Sequence, residues 1–261
     1  MKTLARAAFS ALWVSTRLRV VSPFAYLNWL VFPLLFAALG LYVLSGPGAA
    51  ASHLAYGVLG GGLMGYWSVA YLDGGNGIQE ERWNGTLEQI FAVPTPLGVI
   101  LLGKICGSLV FGIASFVPTV AFAYVGFHAF LPHVDALRFV VSLGVLTFTF
   151  FAISITLTPV FALWRSAFSM LNGFEMGVYV LCGFMFPVAV LAPWAQGVAG
   201  VLAPTWATKA LYASTTADGP HDFATWWLVA IGLSLAYLVG AYFMYRLVGK
   251  HARVSGDLAL A

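Results

Sequence analysis

The sequence predicts an all-α integral membrane protein with six transmembrane helices, and two observations carry this prediction. Hydrophobic residues make up 61% of the 261 residues and charged residues only 8%, and the mean hydropathy is +0.91. A soluble domain usually carries about 25% charged residues, because its surface must face water. The second observation is that the apolar residues form long continuous runs. These runs have about the length that a helix needs to cross a bilayer, and they do not alternate as in a membrane β-barrel.

The predicted spans follow one another with short connections and form a single transmembrane domain over residues 1–261. With the N-terminus inside the cell, only Arg138 and Lys209 of the 12 Lys and Arg residues lie near the outer face. Cytoplasmic loops of membrane proteins are enriched in Lys and Arg. We therefore expect both termini in the cytoplasm and the protein in the inner (plasma) membrane of the cell. The predicted spans are residues 24–44, 54–72, 97–127, 137–163, 174–191 and 226–248.

Before the first span, residues 1–22 have the pattern of an amphipathic helix that lies in the membrane interface. Leu4, Ala8 and Leu12 fall on one helical side, while Arg6 lies elsewhere around the helix, as do the other arginines. Basic residues on such a helix attract anionic lipid headgroups at the cytoplasmic surface. The lipid bilayer is therefore an expected partner of this segment, and the alternative is a frayed tail before the first span.

The second span contains Gly57, Gly61 and Gly65, which recur every four residues. Small residues at this spacing let two helices approach closely in lipid, where packing drives helix association. We therefore expect this span to pack tightly against another helix. Cys106 and Cys182 lie inside apolar runs, which favours a packing role over a disulfide or a metal site.

The segment of residues 79–96, QEERWNGTLEQIFAVPTP, concentrates charge in an otherwise apolar chain. Thr86 and Gln89 have the spacing of a capping box, in which each side chain caps a backbone N–H of the other residue. Pro94 and Pro96 cannot continue a helix, so the helix ends just before them. The segment predicts a short capped helix at the cytoplasmic face, and an ordinary turn helix between two spans is an equal interpretation of these residues.

This segment, together with the following Gly103-Lys104, closely resembles the signature loop of the ABC type-two exporter permeases. In that family acidic residues precede Gly-Thr-Leu-Glu, a hydrophobic pair and a proline. Residues 183–212 resemble the family's fifth span and outer segment, with Phe-Pro and then Pro-Thr. The order and spacing of the spans agree as well, so the resemblance covers essentially the whole chain. The departures are Trp83-Asn84, where many relatives carry a basic or small residue, and Ala213, where arginine is expected.

The resemblance implies a permease subunit of an ATP-driven exporter whose ATPase is a separate chain. ATP and magnesium would bind to that ATPase, and this chain would bind no cofactor of its own. Two six-span subunits, either two copies of this chain or this chain and a paralogue, would pair with two ATPase subunits. The N-terminal helix would form one contact with the ATPase. The residues that would form the coupling element are Glu80, Glu81, Gly85, Thr86, Leu87, Glu88 and Pro94.

The resemblance also implies short re-entrant helices at the outer face, between spans five and six and within residues 193–211. Such helices would cap the exit of the transport path. The residues of this outer segment that match the family pattern are Phe186, Pro187, Pro193, Pro204 and Thr205.

Polar residues inside the predicted spans include candidates for a transport path. Thr147, Ser154 and Thr158 fall on one face of the fourth span, where they are candidates to line a path for a partly polar substrate. Such hydroxyl groups more often bond to their own backbone or to a neighbouring helix. Glu175 is an ionisable residue inside a span, which indicates function by default. Because it lies near the inner end of its span, a structural ion pair with Arg165 is the favoured interpretation.

Other classes of function lack the residues they need. Residues 98–105, GVILLGKI, lack the Ser or Thr that ends a phosphate-binding loop. No cluster of His, Cys or acidic residues predicts a catalytic or metal site, so we do not expect an enzyme. No basic patch interleaved with aromatic residues predicts nucleic-acid binding.

Two transport functions stay open. The first is the ATP-driven exporter, for which we expect an amphipathic cargo such as a drug, a lipid or a glycolipid-like molecule. The alternative is a proton- or ion-coupled secondary transporter that works without an ATPase. Such a transporter normally needs ionisable groups near the middle of the bilayer, and the predicted spans carry theirs near the ends.

Overall fold

The computed structural model describes residues 2–21, 26–44, 51–75, 85, 97–128, 131, 133–163, 171–216 and 222–255. Within these ranges the chain is built of helices, and none of the described residues belongs to a β-strand. The predicted all-α class is therefore confirmed for this part of the chain. The α-helices are α1 (Lys2–Val21), α2 (Phe32–Leu44), α3 (Ala51–Ser68), α4 (Leu97–Ala114), α5 (Phe116–Phe127), α6 (Ala136–Leu163), α7 (Leu171–Leu181), α8 (Pro193–Val201), α9 (Ala203–Ala213) and α10 (Phe223–Ser255).

Three helical stretches of the described residues are long and apolar enough to cross a membrane: Gly98–Phe127, Ala136–Val160 and Phe223–Arg246. They coincide with the third, fourth and sixth predicted spans. Phe32–Val43 is a shorter apolar helix within the first predicted span. Together with the apolar composition, these helices indicate a membrane protein.

The first two predicted spans are composite helices. A π-helix, Leu27–Val31, leads directly into α2, and α3 continues as a second π-helix, Val69–Gly75. A π-helical turn widens the backbone and often marks a functional position. Helices therefore lie at both predicted places in the chain, but each contains an irregular segment that the apolar pattern does not reveal; that they cross the membrane stays a prediction.

The helix at the fifth predicted span ends at Leu181 instead of Leu191, because the chain reverses at Gly183. Gly183 has a φ of 71°, a conformation that strongly favours glycine. The amide of Phe184 donates to the carbonyl of Tyr179 (3.2 Å), and the amide of Gly183 donates to that of Val180 (3.3 Å). This pair of bonds is a Schellman motif, which satisfies the last free carbonyls of α7.

The helix α3 is the centre of the molecule. Its residues 55 and 57–68 are buried, as are the first three residues of its π-helical continuation. The predicted close packing of this helix is found against α2. A Cβ atom at Gly61 would lie 2.5 Å from the carbonyl oxygen of Pro33 and 2.7 Å from the amide nitrogen of Ala37. Glycine is therefore required for these two backbones to approach as closely as they do.

The third predicted span is divided into α4 and α5 by a turn at Ser115. Pro118 has no N–H to donate to the carbonyl of Ala114, so the regular hydrogen-bond ladder is interrupted there. The hydroxyl of Ser115 donates to the carbonyl of Gly112 at 2.6 Å and lies 3.4 Å from that of Gly62. The break thus ties this span to α3.

At one end of the bundle, α10 packs along α6, and α9 lies against both of these helices. The indole N–H of Trp227 donates to the hydroxyl of Ser142 at 3.0 Å, and the hydroxyl of Tyr237 donates to the carbonyl of Val201 at 2.6 Å. These bonds connect α10 with α6 and with the end of α8. The short helices α8 and α9 are therefore anchored to the long helices at their side.

The N-terminal segment forms the predicted helix, α1, and it packs against α4. A Cβ atom at Gly107 would lie 2.7 Å from the hydroxyl oxygen of Ser15 and 3.3 Å from the carbonyl of Leu12. On the other side of α1, Phe9 and Trp13 are exposed beside the exposed Arg6 and Arg17. The position of α1 in the membrane interface stays a prediction.

The predicted coupling segment, residues 79–96, lies outside the described residues except for one position. Gly85 is exposed, sits in a turn and has a φ of 66°. Glu80, Glu81, Thr86, Leu87, Glu88 and Pro94 lie outside the described residues, and so does the predicted capping box. Arg165, the predicted partner of Glu175, lies outside them as well.

Candidate functional site

Polar side chains of α6 converge on the central helix α3. The hydroxyl of Tyr66 donates to the hydroxyl oxygen of Thr147 at 2.9 Å, and Thr147 in turn donates to the carbonyl of Leu143 at 2.8 Å. The hydroxyl of Ser154 donates to the carbonyl of Ala70 at 2.8 Å. Because Ala70 lies in the π-helical continuation of α3, this bond supports a backbone that has left regular α-helical geometry.

The third polar residue of this face, Thr158, is bonded within its own helix. Its hydroxyl donates to the carbonyl of Ser154 at 2.8 Å, and its side chain is 1% exposed. All of the predicted path residues on α6 thus use their hydroxyl protons inside the protein. Contact of Thr147, Ser154 or Thr158 with a substrate stays a prediction.

Glu175 joins the same centre from α7. Its Oε1 atom accepts a hydrogen bond from the hydroxyl of Tyr179 at 2.5 Å, and that hydroxyl also lies 3.2 Å from the carbonyl oxygen of Met64 on α3. The side chain of Glu175 is 6% exposed. Among the described residues, Arg138 forms an ion pair with Asp135. None of the described basic residues forms an ion pair with Glu175.

Three polar contacts thus connect α3 with α6 and α7: Tyr66 with Thr147, Ala70 with Ser154, and Met64 with Tyr179. In an apolar surrounding a polar group without a partner costs free energy, so these pairs specify how the helices align. We name them the polar seam. Movement of α3 would be transmitted through the polar seam to both α6 and α7.

The outer segment consists of two short helices that follow the reversal at Gly183. Pro187 caps the 3₁₀ turn, Pro193 begins α8, and Pro204 lies in the first turn of α9. Proline at the start of a helix is favoured because its missing N–H has no partner there in any case. The prolines matched to the family pattern thus lie at the starts of short helical segments; that these lie at the outer face and re-enter the bilayer stays a prediction.

A cavity of about 300 Å³ lies beneath these short helices. It is largely apolar, and one face of α9 forms a wall with residues spaced i, i+3, i+4 and i+7: Thr205, Thr208, Lys209 and Tyr212. Phe186, which precedes the lining residue Pro187 in the chain, is partly buried. The other residues that line the cavity are Tyr56, Cys182, Gly183, Pro187, Val188, Ala189, Gln196, Gly200 and Trp206.

Two hydroxyl groups are buried in the wall of this cavity. Thr208 is 1% exposed, and its hydroxyl has no hydrogen-bond partner among the described residues. Thr205 is 7% exposed, and its hydroxyl likewise has no hydrogen-bond partner among the described residues. Both threonines therefore hold an unused donor and acceptor within the wall of the cavity.

Aromatic rings surround the rest of the site. The rings of Tyr56 and Tyr212 stack with their centroids 4.0 Å apart, and the hydroxyl of Tyr212 donates to the carbonyl of Phe184 at 2.6 Å. The ammonium group of Lys209 lies 4.8 Å from the ring centroid of Trp226 and 5.7 Å from that of Trp206. Lys209 is thus held at the cavity by two cation–π contacts.

The sequence did not predict this cavity, although Pro187 and Thr205, which line it, were among the predicted residues of the outer segment. The available signal was the spacing of Thr205, Thr208, Lys209 and Tyr212, which places polar and aromatic side chains on one side of a helix. No pattern in the sequence indicated that Tyr56 lines the cavity, because Tyr56 belongs to α3, which is far from α9 in the sequence.

Comparison with known proteins does not add a relative to these observations. No family model matches the chain, and no curated protein matches it. The resemblance to the exporter permeases therefore rests on the residues of this chain alone.

Proposed function

We propose that the chain is the permease subunit of an ATP-driven exporter that works with a separate ATPase. In this proposal six spans form each subunit, both termini lie in the cytoplasm of the inner membrane, and a second permease subunit completes the path. The cargo is an amphipathic molecule. ATP and magnesium bind to the partner ATPase.

The observation that carries the proposal is the place of the charged segment in the chain. Residues 79–96 connect α3 with α4; these two helices pack against each other, and α4 also packs against α1. Movement of a partner bound to this segment therefore displaces α3 directly. Because the polar seam fastens α3 to α6 and α7, such a displacement moves several helices together, as alternating access requires.

Gly85 supports a structural role for this segment. Gly85 is the one residue of the segment that the structure describes. Its positive φ is sterically unfavourable for residues other than glycine, by about 1–2 kcal/mol. A Cβ atom at this position would meet no atom within 4 Å. Glycine is therefore selected here by backbone conformation and not by space, as in a turn of defined geometry.

The proposal is tested by co-purification of the tagged chain with its native neighbours. We expect an ATPase subunit to co-purify, and Glu88→Arg to abolish the association, because the substitution reverses a charge in the coupling segment. Asp257→Arg is the matched control, since it makes the same change of charge near the C-terminus. A chain that purifies alone, or an association that Glu88→Arg leaves intact, contradicts the proposal.

A second candidate is a secondary transporter driven by protons. The observation that favours it is the buried carboxylate of Glu175, whose described partner is a tyrosine instead of a basic residue. A buried carboxylate of this kind is a plausible site for a transported proton. This candidate becomes the better-supported function if the chain purifies without an ATPase.

A further inference from the structure

We propose that the cavity beneath α8 and α9 binds a small amphipathic organic anion, with one or two rings and a carboxylate or sulfonate group. The proposal rests on the proposed function only in treating this ligand as a cargo or as a regulator of the exporter. Binding itself is a property of this chain and is measured without an ATPase.

The first support is the hydroxyl of Thr208. It is buried in the cavity wall and has no partner in the described part of the chain. An unsatisfied buried hydroxyl is unfavourable, and an anionic oxygen is a strong acceptor for it. The wall of the cavity thus holds a donor without a partner.

The second support is the charge of Lys209, which follows Thr208 in the chain and lines the same cavity. Its ammonium group stacks on Trp226 and Trp206, and no carboxylate of the described residues forms an ion pair with it. The rim of the cavity is therefore positively charged. This charge attracts an anion and repels a cation.

The third support is the shape and polarity of the remaining wall. The stacked rings of Tyr56 and Tyr212, together with Pro187 and Val188, offer an apolar surface for the body of a ligand. A volume of about 300 Å³ lies at the lower end of the range for ligand sites. A ligand with one or two rings fits this volume, whereas a long-chain lipid does not.

The test uses 2-naphthoate as the probe and the purified full chain in nanodiscs of zwitterionic phosphatidylcholine. Binding is measured by isothermal titration calorimetry, and empty nanodiscs correct for partition into lipid. We expect saturable binding that weakens by about tenfold or more in Lys209→Gln, because a charge-assisted bond is lost. Arg246→Gln is the matched control: Arg246 also stacks on an aromatic ring, that of Tyr242, but lies outside the cavity.

Two further comparisons separate the ligand contact from a general structural effect. Thr208→Val removes the hydroxyl at nearly constant volume and is expected to weaken binding of 2-naphthoate several-fold, whereas Thr208→Ser retains the hydroxyl and most of the affinity. The neutral analogue 2-naphthylmethanol is expected to bind more weakly than 2-naphthoate, and its affinity is expected to be the same in wild type and Lys209→Gln.

Three results overturn the proposal: no saturable binding of 2-naphthoate to the wild type, equal affinity in Lys209→Gln, or equal affinity for the neutral analogue. These results are distinct from a failure of the proposed function. If naphthoate binds as expected but no ATPase co-purifies, the anion site stands and the exporter is rejected. If an ATPase co-purifies and the anion does not bind, the exporter stands and the site is rejected.

Discussion

The hydroxyl of Tyr179 lies 2.5 Å from Oε1 of Glu175, one helical turn away on α7. Both side chains are buried, and the same hydroxyl faces the carbonyl of Met64 on the central helix. The pair therefore does two things: it gives a buried carboxylate a donor, and it places α7 against α3. A carboxylate without its donor in such a place carries an uncompensated desolvation cost.

We expect Tyr179→Phe to lower stability by about 1–3 kcal/mol, because it leaves the Glu175 carboxylate without its donor while keeping the ring. The measurement is the midpoint of thermal unfolding in detergent. Tyr242→Phe is the control, since Tyr242 is 58% exposed and its ring contact with Arg246 survives the loss of the hydroxyl. Equal midpoints for the two variants contradict the assigned role of the pair.

A double-mutant cycle extends this prediction. In Glu175→Gln the neutral amide has less need of a donor than the carboxylate, so Tyr179→Phe should cost less in that background. The difference between the two costs is the interaction energy of the pair. Strictly additive costs would mean that Tyr179 stabilises the protein through its contact with α3 alone.

We expect Gly61→Ala to destabilise the protein by about 1–3 kcal/mol, because the added methyl group forces α2 and α3 apart. The obstructing atoms belong to the backbone at Pro33 and Ala37, so no side chain can rotate away to relieve the contact. Gly144→Ala is the matched control within α6. A Cβ there meets no atom within 4 Å, and alanine raises helix propensity by about 1 kcal/mol.

The two glycine variants are expected to change the stability of the protein in opposite directions, so one measurement distinguishes them. Thermal unfolding in detergent should show a lower midpoint for Gly61→Ala and an unchanged or higher midpoint for Gly144→Ala. If Gly61→Ala unfolds at the wild-type temperature, α2 and α3 are not as close as the structure has them.

We expect Gly183→Ala to disturb the end of α7 and the cavity beside it. The positive φ costs about 1–2 kcal/mol for alanine. The new Cβ would also lie 2.8 Å from Cγ2 of Val188 and 3.2 Å from the carbonyl of Phe186. Gly177→Ala, on the same helix and with no atom within 4 Å of its Cβ, is the control. The unfolding midpoint and the affinity for 2-naphthoate should both fall in Gly183→Ala only.

The outcome at α7 shows where apolar patterning fails as a guide to helix length. Residues 174–191 form an apolar run apart from Glu175, and hydropathy alone does not separate a helix from an extended turn of the same composition. The helix nevertheless ends at Leu181, because Gly183 adopts a left-handed conformation and two backbone bonds close the turn. The Gly183 and Pro187 signals were present in the sequence, but both are also tolerated inside membrane helices.

The polar residues of α6 show a different limit. Their spacing predicts that Thr147, Ser154 and Thr158 share one face of a helix, and all three do lie within α6. Spacing does not tell whether a hydroxyl points to a path or to a neighbouring backbone. That choice depends on the position of Tyr66 and Ala70, which belong to another helix.

The sequence by itself determined that the protein is helical and apolar enough for a membrane, because composition and the length of apolar runs act locally along the chain. It also determined that α3 packs closely against a neighbour, since glycines at every fourth position leave one side of a helix without side chains. Only the tertiary structure decided that α2 is this neighbour, that the polar seam fastens α3 to α6 and α7, and that Tyr56 and Lys209 share a cavity. These contacts join residues that are distant in sequence, and their formation depends on how whole helices pack rather than on any local pattern.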